Sequence, residues 1–129
     1  QQNLGVVVIG TKADKDAGNK ITEGIDSAID LCGVTNLNQM IAVLANSQLL
    51  VSNDSGTMHV MAALQKPQVA IFGSTSTTWT GPLNKQANII KKPFECSPCF
   101  KRKCPYGHYD CLNSISADEV FDNVKALLV

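Results

Sequence analysis

The sequence predicts an α/β domain: a parallel β-sheet covered by helices. Two observations point there. Short apolar, β-branched runs such as GVVVIG, SQLLVSN and QVAIFG alternate with longer segments whose apolar residues recur at helical spacing. The runs are apolar at nearly every position rather than at alternate ones, as in strands buried on both faces. With 129 residues the chain has material for one domain and one modest core.

The elements follow in order. GVVVIG (5–10) reads as a buried strand. KADKDAGNKITEGIDSAI after it begins polar and carries Ile21, Ile25 and Ala28 at helical spacing, so it reads as a helix that Gly18 and Gly24 weaken. IDLCG (29–33) suits a short strand. TNLNQMIAVLANS reads as a helix capped by Thr35 or Asn36, with Leu37, Met40, Ile41 and Leu44 on its apolar face. SQLLVSN (47–53) is a strand and TMHVMAALQK the helix that follows, ending before Pro67. QVAIFG (68–73) is the next strand, STSTTWTGPLNKQ a polar loop and ANIIKK (87–92) an edge strand. An irregular loop with three prolines, PFECSPCFKRKCPYGHYDCLNS, precedes a closing helix, SADEVFDNVKALLV. There Ser116 and Glu119 form a capping box, and Val120, Val124, Leu127 and Leu128 an apolar stripe.

Charge and composition exclude some functions. Eleven basic residues balance eleven acidic ones, so no bulk attraction to nucleic acid or an anionic membrane is expected. A local exception is the group of five cations between Lys91 and Lys103, including Lys101, Arg102 and Lys103, which reads as a solvated loop. No apolar run nears the roughly 20 residues that span a bilayer. Without a leader segment, the five cysteines are expected to be free thiols or metal ligands rather than a disulfide frame. QQNLGVVVIG enters a buried-type strand almost at once, which suggests an excised piece with further parts upstream.

In a parallel sheet of this kind, ligands bind beyond the carboxyl ends of the strands. Three loops lie there. The turn VSNDSGTMH (51–59) leads from a strand into a helix. A helix start offers unpaired N–H groups and a partial positive charge, for which phosphate is a natural ligand. Gly56 permits close backbone approach, and Ser55 and Thr57 add hydroxyls. A carboxylate at Asp54 would repel phosphate alone; it makes sense if the ligand also carries hydroxyl groups for it to accept from, as a nucleotide sugar does. His59, in the first turn, can reach the same ligand. Equally, Asp54 or Ser55 is simply an N-cap and His59 a half-buried packing residue.

The second loop, FGSTSTTWTGP, holds six hydroxyls from Ser74 to Thr80, which suit a diphosphate or sugar but also an ordinary solvated turn. Trp79 is expected to pack beside it. The third loop, GTKADKD, sets Asp14 and Asp16 just past the first strand, where a carboxylate can hold ribose hydroxyls or merely start a helix. The cysteines Cys96, Cys99, Cys104 and Cys111, with His108 among them, contain one CxxC half-site but no second. Four thiolates, or three with His108, could satisfy tetrahedral zinc; reduced or opportunistically paired thiols fit better.

The stretch VSNDSGTMHVMAALQKPQVAIFGSTS, with TGPL after it, resembles the signature region of glycosyltransferase family 9, the heptosyltransferases. GTKAD, GVTNL and the cysteine-rich CSPCFKRKCPYGHYDCL are similar to family segments too, so the resemblance covers nearly the whole chain. It implies a Rossmann-like parallel sheet flanked by helices, the C-terminal half of a GT-B glycosyltransferase. Residues 1–129 would be its nucleotide-sugar (donor) binding domain, lacking the N-terminal acceptor domain and the first strand of this one. It implies Gly56 and Thr57 on the ADP diphosphate with Ser55 nearby, Asp54 on heptose hydroxyls and His59 close to the donor. It also implies Asp14 on the ribose, Thr35 to Leu37 along the adenine, and Thr75 in the donor loop. Ser74 departs from the family, many members having proline after FG.

The implied reaction moves heptose from ADP-heptose to the lipopolysaccharide inner core. It proceeds by inversion, needs no obligatory metal, and takes its general base from the N-terminal domain, so that this chain alone would not catalyse transfer. The implied location is cytoplasmic, at the cytoplasmic face of a Gram-negative inner membrane, with peripheral membrane association. Two rival readings are another sugar-nucleotide enzyme of GT-B type, such as an epimerase, and a zinc-binding interaction module built on the cysteine loop.

Overall fold

The computed structural model describes residues 3–128. The chain forms two compact units, the first ending at Val43 and the second beginning at Leu44.

In the first unit, β1 (Val6–Val8) runs parallel to β2 (Ala28–Asp30), with Val6 opposite Ala28 and Val8 opposite Asp30. A 3₁₀ turn (Lys12–Asp14) and α1 (Lys15–Thr22) connect them. The helix is shorter than helical spacing predicts. It stops at Thr22, Gly24 adopts φ +72°, and Ile25 and Ala28 lie beyond it. Parallel pairing with Val6 draws Ala28 into a strand, and an αL glycine is a usual way to leave a helix. Gly18, expected only to weaken α1, is buried for a steric reason: a Cβ there would stand 2.5 Å from Asp30 Oδ1 and 2.8 Å from Cys32 Sγ. β1 departs from the buried strand expected, since Val6 and Val7 are each 44% exposed. It pairs only with β2 among the described residues.

The unit boundary falls inside α2 (Leu37–Asn46). Asn36, not Thr35, caps it: Asn36 Oδ1 accepts from the Gln39 amide at 2.9 Å, and Gln39 Oε1 accepts from the Asn36 amide at 2.9 Å. This is a reciprocal capping box closed by amide side chains.

The second unit is a three-stranded parallel sheet ordered β3-β4-β5: Leu50–Asn53, Gln68–Phe72 and Ala87–Lys91. Leu50 faces Gln68 and Asn53 faces Ile71; Gln68 faces Ala87 and Phe72 faces Lys91. α3 (Gly56–Ala63) packs on β3 and β4 through Met58, Met61 and Ala62, all buried. Met58, Ala70 and Phe72 form the centre of the core. The loop after β4 contains a short helix, α4 (Thr77–Thr80), where the composition suggests only a polar loop. The cysteine-rich segment likewise ends in a single helical turn, α5 (Asp110–Asn113).

α6 (Ala117–Leu127) closes the unit against β4. Its capping box is half formed. The Ser116 hydroxyl accepts from the Glu119 amide at 3.1 Å, but the Glu119 carboxylate turns instead to Lys92 Nζ at 2.8 Å. A full charge on β5's extension outcompetes a neutral amide for the carboxylate. Among the described residues, no helix is long and apolar enough to cross a membrane.

Candidate functional site

β3 and β4 are adjacent and parallel, so the turns after Asn53 and after Phe72 leave the sheet at the same edge. The first turn opens α3. Ser55 is the N-cap in extended conformation, and its hydroxyl makes no capping bond. Among the described residues, nothing accepts from the amides of Gly56 and Thr57. Gly56 is exposed, and a Cβ built on it would meet nothing within 4 Å. Its φ lies outside the left-handed region. The fold itself therefore makes no demand for glycine here; what a side chain would fill is the open space over the helix start. Thr57 is half-buried and His59 exposed, with the His59 amide 3.4 Å from the Ser55 carbonyl.

Asp54 does not cap α3. Its Oδ2 accepts from the Thr80 hydroxyl at 2.7 Å, a bond between the two turns. Thr80 is also 3.0 Å from the Ser76 carbonyl, and its one proton is shared between these acceptors. Thr75 is half-buried in the same loop. That loop is braced by the cysteine-rich segment: the Phe100 amide donates to the Ser74 carbonyl at 2.7 Å, and the Ser97 hydroxyl donates to the Gly73 carbonyl. Trp79, expected to pack beside the loop, is 79% exposed; its ring stacks on Phe100 with centroids 5.4 Å apart. Sequence reasoning counted Thr80 among six hydroxyls without distinguishing it. The available signal was its place as the first residue of the TGP turn.

In the first unit, Asp14 follows β1 as expected, but one of its oxygens is engaged locally. Oδ2 accepts from the Thr11 amide at 2.7 Å and the Thr11 hydroxyl at 2.8 Å. These bonds hold its carboxyl below the usual range, the amide contributing most. Thr35 is half-buried and Leu37 exposed at the start of α2, so Leu37 does not join the packed face assigned to it. Asp30, not singled out from the sequence, is held from two sides. Lys15 Nζ and the Cys32 amide each donate to it at 2.8 Å, and its pKa falls to about 2, chiefly through Lys15.

Cys96, Cys99, Cys104 and Cys111 line one cavity together with His108 and Tyr109. All are free thiols, as is the buried Cys32. Among the described residues, no three His, Cys, Asp or Glu side chains are gathered so that they could hold a metal ion. The thiols differ: the Tyr109 amide, with those of Tyr106, Gly107 and His108, lowers the Cys104 pKa. Burial, then the neighbouring thiolates, raises that of Cys111.

The chain resembles known proteins throughout. It is 33% identical to lipopolysaccharide heptosyltransferase 2 of Escherichia coli (strain K12), over 96% of this chain and 37% of that protein. It is 35% identical to lipooligosaccharide heptosyltransferase 2 of Haemophilus ducreyi, over 99% of this chain and 39% of that protein. The solved structure of the E. coli ADP-heptose lps heptosyltransferase II superposes with a TM-score of 0.80 and 32% identity, over 96% of this chain and 36% of that one. The chain thus spans under two-fifths of the length of these relatives, and it shares their Rossmann-like fold of parallel strands flanked by helices. The family model of glycosyltransferase family 9 (heptosyltransferase) matches residues 1–110. That match takes in the first unit, most of the second and both turns where the strands end, and on this ground the chain belongs to glycosyltransferase family 9.

Proposed function

We propose that this chain is the nucleotide-sugar-binding part of a heptosyltransferase, the C-terminal half of a GT-B enzyme, and that the β3–α3 turn holds the diphosphate of ADP-heptose. The observation that carries this reading is the open, unclaimed start of α3 at Gly56 and Thr57. Two amides without a partner among the described residues and the helix dipole form an anion site, and Gly56, where a Cβ would meet nothing within 4 Å, keeps it accessible. Asp54 accepts from heptose hydroxyls, and Ser55, His59 and Thr75 flank the donor. Asp14 retains its second oxygen for the ribose, and the segment Thr35 to Leu37 lines the adenine. The relatives' names supply the donor and, in lipopolysaccharide or lipooligosaccharide, the acceptor.

The reaction is an inverting displacement. A hydroxyl oxygen of the acceptor attacks the anomeric carbon, the bond to the diphosphate breaks, and ADP departs with the electron pair. The acceptor proton passes to a base outside this chain, on the N-terminal acceptor domain. Within this chain the catalytic work is electrostatic: the α3 amides stabilise the charge that grows on the leaving diphosphate. The parent enzyme works in the cytoplasm, at the inner face of the inner membrane. The test is a calorimetric titration of the full-length protein with ADP-heptose, ADP and UDP-sugars. Preference for ADP-heptose is expected; indifference between ADP- and UDP-sugars overturns the reading.

A further inference from the structure

We propose that Thr80 is a positioning residue for the donor sugar: its hydroxyl fixes one oxygen of Asp54 and so aims the other at a hydroxyl of the ligand. This rests on the reading of Asp54 given above and goes beyond it.

The geometry supports it at three points. First, the bond from Thr80 is the one hydrogen bond of the Asp54 side chain among the described residues, at 2.7 Å. Among the described residues Asp54 caps no helix and pairs with no cation, so its orientation depends on this hydroxyl. A carboxylate has about four acceptor positions. Thr80 uses one on Oδ2, and among the described residues Oδ1 has no donor. Second, Thr80 holds its place without Asp54. Its amide donates to the Ser76 carbonyl at 2.9 Å, and the next amide, of Gly81, donates to the Thr77 carbonyl at 2.9 Å. Gly81 lies so close over the Thr77 carbonyl that no Cβ fits there. The donor is thus rigid before any ligand arrives, and rigid positioning of this kind reduces the ordering that binding must impose.

Third, the bond joins the loops of neighbouring strands, 26 residues apart in sequence. Thr80 touches the carboxylate, not the start of α3. Removing its hydroxyl therefore disturbs recognition of the sugar and leaves recognition of the diphosphate alone. That separation is what a purely structural role for Thr80 would not produce.

The experiment uses the full-length enzyme with Thr80→Val, Thr80→Ser and Asp54→Asn. Affinities for ADP-heptose and for ADP are measured by calorimetry, with thermal melting as the check on folding. Thr80→Val is expected to weaken ADP-heptose binding by about tenfold, the scale of one hydrogen bond to a charged group, with ADP binding changed less than about twofold. Thr80→Ser, which keeps the hydroxyl, should restore ADP-heptose affinity to within about threefold. Should Thr80→Val melt early, Thr80→Ala gives the same comparison with a smaller side chain.

The inference is overturned if Thr80→Val binds ADP-heptose like the parent, or if it loses ADP and ADP-heptose affinity equally. Asp54→Asn separates the two layers. If it weakens ADP-heptose binding while Thr80→Val does not, only the role of Thr80 fails. If Asp54→Asn is silent as well, the sugar-binding role of Asp54 fails with it.

Discussion

The Thr80 hydroxyl meets the Asp54 carboxylate at 2.7 Å and ties the turn after β3 to the turn after β4. Asp54 does not cap α3, and Thr80 is the last residue of α4. Among the described residues the bond leaves one carboxylate oxygen available beside the open helix start at Gly56, the anion site proposed above. A carboxylate there is unfavourable for a bare diphosphate and useful for one that carries a sugar.

That balance gives Asp54→Asn a sign. The amide oxygen still accepts from Thr80, but the charge and part of the acceptor capacity are gone. ADP-heptose affinity should fall by about ten- to a hundredfold, while ADP affinity stays level or rises because a repulsive charge is removed. Calorimetric titration of the full-length enzyme checks this; a parallel loss for both ligands would count against the assignment.

Gly56→Ala tests the helix start itself. The added methyl meets nothing in the chain, and alanine is the better helix former, so melting temperature should hold or rise slightly. The same methyl stands in the open space proposed for the diphosphate, and ADP affinity should drop by about tenfold or more. Unchanged ADP binding in this variant would place the diphosphate elsewhere.

Gly18→Ala should behave in the opposite way. Its Cβ would press on Asp30 Oδ1 and Cys32 Sγ, where β2 ends against α1. Overpacking of this kind costs about 1–3 kcal/mol, which outweighs the gain in helix propensity. Chemical denaturation of the two glycine variants side by side should show one midpoint lowered and the other not.

Asp30 makes the fold sensitive to acid. Its folded pKa of about 2 lies below the ordinary value of 3.8, mainly because Lys15 donates to it and then because the Cys32 amide does. A depressed carboxyl stabilises the folded state above its unfolded pKa, and that contribution is lost as pH falls from near 4 through about 2. Asp30→Asn should reduce stability at neutral pH and flatten its decline over that acid window. Urea midpoints measured from pH 7 to pH 2 provide the readout.

The thiols should react in a fixed order. The amides of Tyr109, Tyr106, Gly107 and His108 favour the Cys104 thiolate; burial disfavours those of Cys111 and Cys32. The thiolate is the nucleophile, so limited iodoacetamide at neutral pH should label Cys104 well ahead of Cys111 and Cys32. Peptide mass spectrometry of the labelled protein decides it.

The α/β class, the parallel strands around Val51, Ala70 and Ile89, and the turn that opens α3 were legible in the residues alone. These features follow from local periodicity and cap chemistry, which act within a few positions of one another. So was the grouping of the turns after Asn53 and Phe72 at one end of the sheet, because neighbouring parallel strands finish on the same side. The tertiary structure decided what spans distance. It moved Ala28 out of a helical pattern and into a strand beside Val6, and it turned Glu119 from its own helix cap to Lys92. It made Gly18 a steric necessity while leaving Gly56 free of any such demand. From six hydroxyls in the loop after β4 it brought Thr80 to Asp54. Such pairings depend on long-range packing, where one geometry wins over local preference; within the loop, its place in TGP sets Thr80 apart, but it does not name Asp54 as the partner.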